Sequence, residues 1–208
     1  MTARIEQVVT SGVFSLDGED FDVDNNVWLV GDDTEVLVID AAHDGPAIID
    51  AVGGRRVVDL ICTHGHSDHV NAAGALSQAW QRLPRLHPAD EVLWRLTNPD
   101  LPYHRLDDGE VIAVAGVELV VRSTPGHSPG SVCLYSEQLG TVFTGDTLFA
   151  GGPGATGRSY SDFPTIIDSI RTQLLTLPGP TVARPGHGGT TSIEAEAADV
   201  ADWLRRGA

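Results

Sequence analysis

The chain has 208 residues, with 29 acidic against 13 basic side chains and a formal net charge of −16. Such an acidic chain repels nucleic acid and anionic membranes, so we expect neither as a partner and expect a small-molecule substrate instead. No apolar run is long enough to span a membrane, the N-terminus does not resemble a signal peptide, and two cysteines make no disulfide framework. These features predict one cytoplasmic domain over residues 1–208 and leave its oligomeric state open.

Strands and helices alternate in the first half of the chain. The first 42 residues are typical of strands, and the segments 26–31 and 35–40 flank a polar turn, which predicts a hairpin. The elements predicted after it are a helix over 45–52, a strand over 57–62, a helix over 68–82, a strand from Leu86 and a helix over 89–97.

Strands are more frequent in the second half. The segments 111–114 and 117–121 predict a second hairpin, and 131–135 and 141–144 predict two further strands. Apolar residues at helical spacing predict an amphipathic helix over 163–177. A strand over 181–184 then leads to a final helix over 193–206, which Thr191 or Ser192 would cap.

The segment 63–69, THGHSDH, places three histidines and an aspartate within six positions. His64 and His66 are two residues apart, so they point the same way from an extended chain, and Asp68 and His69 are close enough to aim at a second point. Imidazole nitrogens and carboxylate oxygens are good ligands for zinc and related ions. The segment therefore predicts half of a site for one or two metal ions.

Three later residues supply the other half of the predicted site. His127 and His187 each end a Pro-Gly-His triplet that follows a predicted strand, and Asp146 also follows a strand, in the sequence TGDT. In α/β folds the strand ends meet at one edge and form the functional crevice, so we expect these residues to converge with the segment 63–69. The other histidines are expected to lie on the surface or in the core, although the first follows a strand end and could lie near the site: His43, His87 and His104.

The segment THGHSDH, followed in order by His127, Asp146 and His187, resembles the ligand signature of the metallo-β-lactamase fold. The resemblance covers essentially the whole chain. The resemblance implies an α/β fold, a four-layer αββα sandwich of two mixed β-sheets with helices outside. It also implies a two-metal centre in which Asp146 bridges the ions and Asp68 and Asp146 are the catalytic carboxylates. The implied ligands are His64, His66 and His127 for one ion, and Asp68, His69 and His187 for the other.

The implied chemistry is hydrolysis by a metal-bridging hydroxide, because divalent metal ions lower the pKa of bound water to about 7. No serine or cysteine nucleophile is then needed, and Cys62 is expected to be a packing residue. Zinc is the first choice for the two divalent ions, while iron and manganese accept the same donors.

A second pattern, GDTLF at 145–149 with GR at 157–158 and DFP at 162–164, resembles compact glyoxalase II-like proteins of the small actinobacterial type. This resemblance implies hydrolysis of the thioester of a small carrier thiol, with mycothiol conjugates as one candidate. A thiolate leaves without much help from an acid, since a thiol has a pKa of about 8.5. Full-length glyoxalase II also carries a C-terminal helical domain that helps bind glutathione, and that surface is not transferred to this chain.

Two other activities stay open. Persulfide dioxygenases resemble the same branch, and in this sequence a single iron would be held by His64, His127 and Asp146, a two-histidine, one-carboxylate set suited to oxygen chemistry. A lactonase is the third hypothesis, because opening a lactone ring also needs little help for the leaving group.

The candidate substrate-binding residues are Arg158 and Tyr160, next to a glycine-rich loop. Arg158 would either hold a carboxylate of the substrate or pair with Asp162, and the second role is favoured. Tyr103 is a further aromatic residue that could line the pocket, and the segment 23–26 could reach the edge of the site.

Overall fold

The computed structural model describes residues 2–206, and six strands form its first sheet, in the same order in space as in the chain. The first three pair antiparallel and the last four run parallel, so the sheet is mixed. Its first two strands make a hairpin of thirteen residue pairs. The strand bounds are β1 Arg4–Leu16, β2 Glu19–Gly31, β3 Glu35–Ile39, β4 Arg56–Ile61, β5 Arg85–Leu86 and β6 His104–Arg105.

The second sheet is also mixed and takes its strands from the later part of the chain. Its first four strands are β7 Val111–Val114, β8 Val117–Ser123, β9 Val132–Ser136 and β10 Thr141–Gly145. A separate small hairpin follows, formed by β11 Leu148–Phe149 and β12 Gly152–Pro153. The second sheet is completed by β13 Val182–Pro185, parallel to β10, and β14 Thr191–Ser192.

Within the described residues, seven short α-helices lie between these strands or follow the last of them. They are α1 Gly45–Val52, α2 Ser67–Val70, α3 Ala73–Trp80, α4 Glu91–Thr97, α5 Phe163–Ser169, α6 Ile193–Ala197 and α7 Val200–Arg206. A 3-10 turn over Pro88–Asp90 precedes α4, and a π-helical turn over Ile170–Leu174 continues α5. Within residues 2–206, no helix has both the length and the apolar character needed to cross a bilayer.

Buried apolar side chains form three layers. The first lies between the first sheet and α1, α3 and α4, the second lies between the two sheets, and the third lies between the second sheet and α5 to α7. Ile48 and Leu29 belong to the first layer, Leu37 and Leu119 to the second, and Ile170 and Val142 to the third. Three apolar layers require four layers of secondary structure, which confirms the predicted αββα sandwich.

The predicted helix over 68–82 is wrong as a single element. The chain forms α2 and α3 instead, because backbone groups near their junction pair with residue 41: Ala41 N–H donates to the carbonyl of His69 in α2, and the N–H of Ala72, between the helices, donates to the Ala41 carbonyl. These bonds fix α2 against the end of β3. The predicted helix over 163–177 changes to a π-helical turn after Ser169.

The predicted final helix is likewise two helices. It divides into α6 and α7 between Ala197 and Val200, so that Trp203 turns into the third apolar layer, where it is buried. Ser192 is the cap of α6, because its Oγ accepts a hydrogen bond from the Ala195 N–H at 3.2 Å.

Candidate metal centre

All seven residues predicted to hold metal lie at one edge shared by the two sheets. The loop after β4 carries His64 and His66, and α2 carries Asp68 and His69. The second sheet supplies the rest from the ends of its strands: His127 after β8, Asp146 after β10 and His187 after β13. The seven residues come from four separate segments of the chain. Six of them are buried, and His187 is partly buried.

Glycine is required in both Pro-Gly-His triplets. Gly126 adopts a φ of +134°, and a Cβ atom there would overlap the backbone of Ile166 in α5. Gly186 lies so close to the centre that a Cβ atom would overlap Asp146 Oδ1 and the ring of His69. The triplets therefore let the backbone approach α5 and the metal donors, while the following histidine turns toward the centre.

Three imidazoles form what we call the first donor triad: His64, His66 and His127. The distance between His64 Nε2 and His66 Nδ1 is 3.1 Å, and the distance between His66 Nδ1 and His127 Nε2 is 2.9 Å. The three nitrogens all lie within 4.8 Å of one another, so one ion could contact all of them.

The second donor triad consists of Asp68, His69 and His187. Asp68 Oδ2 lies 3.4 Å from His69 Nε2 and 3.2 Å from His187 Nε2. The two histidine nitrogens are 3.2 Å apart. These three atoms also converge on one point, next to the first triad.

Asp146 contacts both triads. Its Oδ2 lies 3.6 Å from His127 Nε2 of the first triad and 3.3 Å from His187 Nε2 of the second. Its Oδ1 lies 3.3 Å from His69 Nε2. The position between the triads is the one that a bridging carboxylate would occupy.

The donor set fits a pair of divalent ions. Ligands held about 2.0–2.1 Å from a tetrahedral zinc ion lie roughly 3.3 Å apart, which matches the spacing within both triads. Two buried polar atoms of the centre, Asp146 Oδ1 and His66 Nε2, have no hydrogen-bond partner among the described residues. Such groups are costly unless a ligand satisfies them, and Asp146 Oδ1 is placed to be satisfied by a cation.

Burial determines the protonation of two histidines in the first triad. It lowers the pKa of His64 well below its usual range and lowers that of His66 to about 3. Neighbouring imidazoles act in the same direction on both rings. Both rings are therefore neutral at physiological pH, which is the form that binds metal.

The carboxylates reverse this effect in the second triad. Burial opposes protonation of His187, but hydrogen bonds with Asp146 and Asp68 raise its pKa to about 10. The same carboxylates raise the pKa of His69 well above its usual range, against the effect of burial. Burial acts to raise the pKa of Asp146 and Asp68, but the imidazoles of His69 and His187 outweigh it, so both pKa values are lowered. The pair of carboxylates thus needs positive charge beside it, as protons or as cations.

Asp40, which sequence reasoning missed, orients donors of both triads. It lies after β3, and its Oδ2 lies 2.9 Å from His69 Nδ1. It also accepts hydrogen bonds from the Thr63 N–H at 2.7 Å and the Thr63 hydroxyl at 3.0 Å. Since that hydroxyl donates to Asp40, it accepts from His64 Nδ1 at 3.1 Å. Outer hydrogen bonds of this kind leave Nε2 of each histidine free for a metal ion.

Backbone carbonyls orient two further histidines. His127 Nδ1 donates to the Ala155 carbonyl at 2.9 Å, and His187 Nδ1 donates to the Asp24 carbonyl at 2.7 Å. Both rings therefore present Nε2 to the centre.

Asp90 is a second carboxylate that sequence reasoning missed. It is fully buried and accepts hydrogen bonds from Gly65 N–H at 2.8 Å, Gly130 N–H at 2.5 Å and the Ser128 hydroxyl at 2.6 Å. It joins the loop of His64 and His66 to the loop that follows His127. Burial raises its pKa, although these hydrogen bonds act in the opposite direction.

A groove of about 260 Å³ opens onto the centre. Apolar side chains line its walls: Phe14 and Val23 from the β1–β2 hairpin, and Phe149 and Ala155 from the segment after Asp146. A smaller adjoining cavity shares Phe14 and Ala155 with the groove and is also lined by Leu16, Arg158, Ser159 and Ser161. The groove therefore offers a mainly apolar surface that leads to the metal donors.

Arg158 lines the adjoining cavity and not the groove itself. The predicted pairing with Asp162 is wrong: Asp162 caps α5, and Arg158 pairs with Glu19 at 3.1 Å while its guanidinium lies 4.5 Å from the centre of the Phe21 ring. This ion pair and the neighbouring hydrogen bond from Ser159 N–H to Asp17 join the hairpin tip to the loop.

The other candidates for substrate contact lie in different places. Tyr160 is exposed and lies outside the lining of the groove as described, so its substrate contact stays a prediction. Tyr103 packs on Trp94 in the first apolar layer, with 5.6 Å between ring centres. Residues 23–26 do reach the site: Val23 lines the groove and Asn25 donates to Asp68. Cys62 is fully buried, as predicted.

Comparison with known proteins gives consistent results. Residues 21–187 match the Metallo-beta-lactamase superfamily. Hydroxyacylglutathione hydrolase GloC of Haemophilus influenzae is 32% identical over 188 residues, covering 82% of this chain and 89% of that protein. Probable metallo-hydrolase YqgX of Bacillus subtilis is 31% identical over 189 residues, covering 83% and 88% of the two chains.

A similar solved structure agrees in fold and carries metal. The crystal structure of TTHA1623 in a di-iron-bound form superimposes with a TM-score of 0.76 at 30% sequence identity, covering 84% of this chain and 93% of that one.

Proposed function

The chain belongs to the metallo-β-lactamase superfamily and is a metallo-hydrolase of that superfamily, and we propose that it cleaves the thioester of a small carrier thiol. The observation that carries the two-metal part of this proposal is the pair of complete donor triads with Asp146 between them. The thioester part rests on the groove and on the similarity to GloC.

Two divalent ions would be held by this chain, one by each triad, with Asp146 binding both. When bound, such ions lower the pKa of water and stabilise negative charge on a carbonyl oxygen. Zinc suits histidine and carboxylate donors, and iron or manganese accept the same set. The di-iron form of TTHA1623 supports keeping iron open.

The residues of the chain hold and orient the reacting groups. Asp68 and Asp146 are the proposed catalytic carboxylates, because they place negative charge beside the imidazoles and face the groove. The apolar side chains of Phe14 and Phe149 would limit the contact of a bound substrate with bulk water. Neither cysteine is a nucleophile, because burial raises the pKa of both thiols, that of Cys133 to about 11.

The leaving group decides between classes of substrate. An amine must receive a proton as it leaves, whereas a thiolate with a thiol pKa of about 8.5 leaves unaided. Beyond the candidate metal ligands, the described residues that line the groove and the adjoining cavity offer hydroxyls and the Arg158 guanidinium, and no carboxylic acid. This lining favours a thioester, and a lactone second.

We further propose a mycothiol conjugate as the substrate and the cytoplasm as the location. Arg158, in the cavity that adjoins the groove, is the proposed contact for the carrier or acyl group, and the exposed Tyr160 is a second proposed contact. The net charge of −16 supports a small-molecule substrate over nucleic acid or membrane partners.

The test combines elemental analysis with an activity panel on protein purified without added metal. The panel contains a mycothiol thioester, a glutathione thioester, a lactone and a persulfide with oxygen monitoring. We expect two metal ions per chain, thioester hydrolysis and no oxygen uptake. One iron per chain with oxygen uptake on the persulfide would replace the proposal with a dioxygenase, and turnover of the lactone alone would replace it with a lactonase.

A further inference from the structure

We propose that His43 is a positioning residue for the second donor triad, and that it acts through Asn25. His43 Nε2 lies 2.9 Å from Asn25 Oδ1, and Asn25 Nδ2 lies 2.9 Å from Asp68 Oδ2. This inference rests on the proposed two-metal function, because Asp68 matters as a metal ligand. His43 itself is not one of the candidate metal ligands of either triad.

One backbone group, the N–H of His43, determines the direction of every hydrogen bond in this series. The His43 backbone N–H can only donate, and it donates to Asn71 Oδ1 at 2.6 Å. The other end of that amide, Asn71 Nδ2, therefore donates to His43 Nδ1 at 2.9 Å. A neutral imidazole that accepts at Nδ1 carries its proton on Nε2, so His43 donates to Asn25 Oδ1.

The orientation of the Asn25 amide follows from this tautomer. With Oδ1 held by His43, Nδ2 faces the centre, where it lies 2.9 Å from Asp68 Oδ2 and 3.2 Å from His69 Nε2. The reversed amide would place an oxygen against the Asp68 carboxylate, and two acceptors without a proton repel. His43 thus selects the orientation in which Asn25 holds Asp68 in the second triad.

The contacts form a closed ring that begins and ends on α2. Asn71 directly follows this helix and Asp68 lies within it, while His43 and Asn25 come from the loop before α1 and from β2. Asn25 is buried, so bulk water cannot replace a lost partner freely.

The imidazole of His43 also packs closely against the backbone of β1. A Cβ atom at Gly12 of β1 would overlap the ring, so the hairpin leaves room for it only because residue 12 is glycine. His43 adopts a φ of +54°, a strained backbone conformation that the bond to Asn71 stabilises.

The test is zinc affinity of chelator-stripped protein, measured by competition with a chromophoric chelator. His43→Phe fills the space of the ring without a donor, and His43→Gln restores one acceptor and one donor. His104→Ala, in the exposed β6, is the control. We expect His43→Phe to weaken one of the two zinc equivalents about tenfold and to leave the other unchanged, since outer hydrogen bonds typically contribute 10- to 100-fold to metal affinity. His43→Gln should bind within about threefold of wild type.

Several outcomes would overturn the inference. His43→Phe with wild-type affinity at both equivalents would remove any positioning role. Equal weakening of both equivalents, or equal loss in His43→Phe and His43→Gln, would assign His43 a packing role only. Wild-type protein that binds fewer than two zinc ions would instead contradict the proposed two-metal function. If His43→Phe fails to fold, His43→Gln decides: a selective tenfold loss there contradicts the donor argument.

Discussion

The Oδ2 atom of Asp40 lies 2.9 Å from Nδ1 of His69, and both side chains are buried. This contact joins the end of β3 to α2 and determines which nitrogen of His69 faces the centre. Because the same carboxylate also binds Thr63, whose hydroxyl contacts His64, one residue orients a donor of each triad.

We therefore expect Asp40→Ala to lower metal affinity and activity by about 10- to 100-fold. The loss should affect both metal ions, since both triads lose an oriented histidine. Zinc titration in competition with a chromophoric chelator measures the affinity, and the hydrolysis rate measures the activity. Asp33→Ala, which removes an exposed partner of Arg4, is the matched control and should behave as wild type.

Asp146→Ala should abolish activity and lower metal occupancy, because Asp146 contacts histidines of both triads. Elemental analysis after gel filtration, together with the hydrolysis rate, checks this. His104→Ala should change neither quantity. A variant of Asp146 that keeps two ions per chain would contradict the bridging position.

Gly186→Ala should reduce activity by about a factor of 100 or more, because its Cβ atom would overlap Asp146 Oδ1 and His69, and misplacement of a catalytic group by about 1 Å can cost this much. Gly189→Ala, three residues later, is the control, since a Cβ atom there meets nothing within 4 Å. Steady-state kinetics of the two variants side by side give the comparison, and equal rates would show that the backbone can shift.

Asp90→Ala should lower the free energy of unfolding by about 3 kcal/mol, because it leaves two buried N–H groups and a hydroxyl without their acceptor. Urea denaturation of the zinc-loaded protein measures the loss. Asp100→Ala, at an exposed position, should change it by less than about 0.5 kcal/mol. A loss as small as that of the control would mean that water replaces the carboxylate.

Asp32 should make stability depend on acid pH. Hydrogen bonds from the Thr34 hydroxyl, the Thr34 N–H and the Glu35 N–H lower its pKa from 3.8 to about 2. A folded-state pKa below the unfolded value means that the contribution is present above pH 3.8 and is lost as pH falls toward 2. The Tm difference between wild type and Asp32→Ala should therefore shrink between pH 4 and pH 2. A constant difference across this range would contradict the assignment.

The fold could be predicted because the histidine- and aspartate-rich segments resemble those of a known family, and the convergence of the seven candidate ligands could be predicted because they follow strand ends. Asp40 and Asp90 could not be predicted, since each is a single acidic residue whose partners are brought to it by the packing of distant segments. The break between α2 and α3 also escaped prediction, because it depends on backbone hydrogen bonds to residue 41. Arg158 was placed near the site, but its partner Glu19 lies 139 residues away in the chain, beyond any local signal.

The walls of the groove come from other parts of the chain than the metal donors do. Phe14 and Val23 belong to the β1–β2 hairpin, and Phe149 and Ala155 to the segment after Asp146, whereas the candidate metal ligands lie after strand ends and in α2. Mutations in the groove walls can therefore change which substrates bind without changing the candidate metal ligands. Such a chain can acquire a new substrate through changes in two surface segments, and directed evolution of this protein would best begin there.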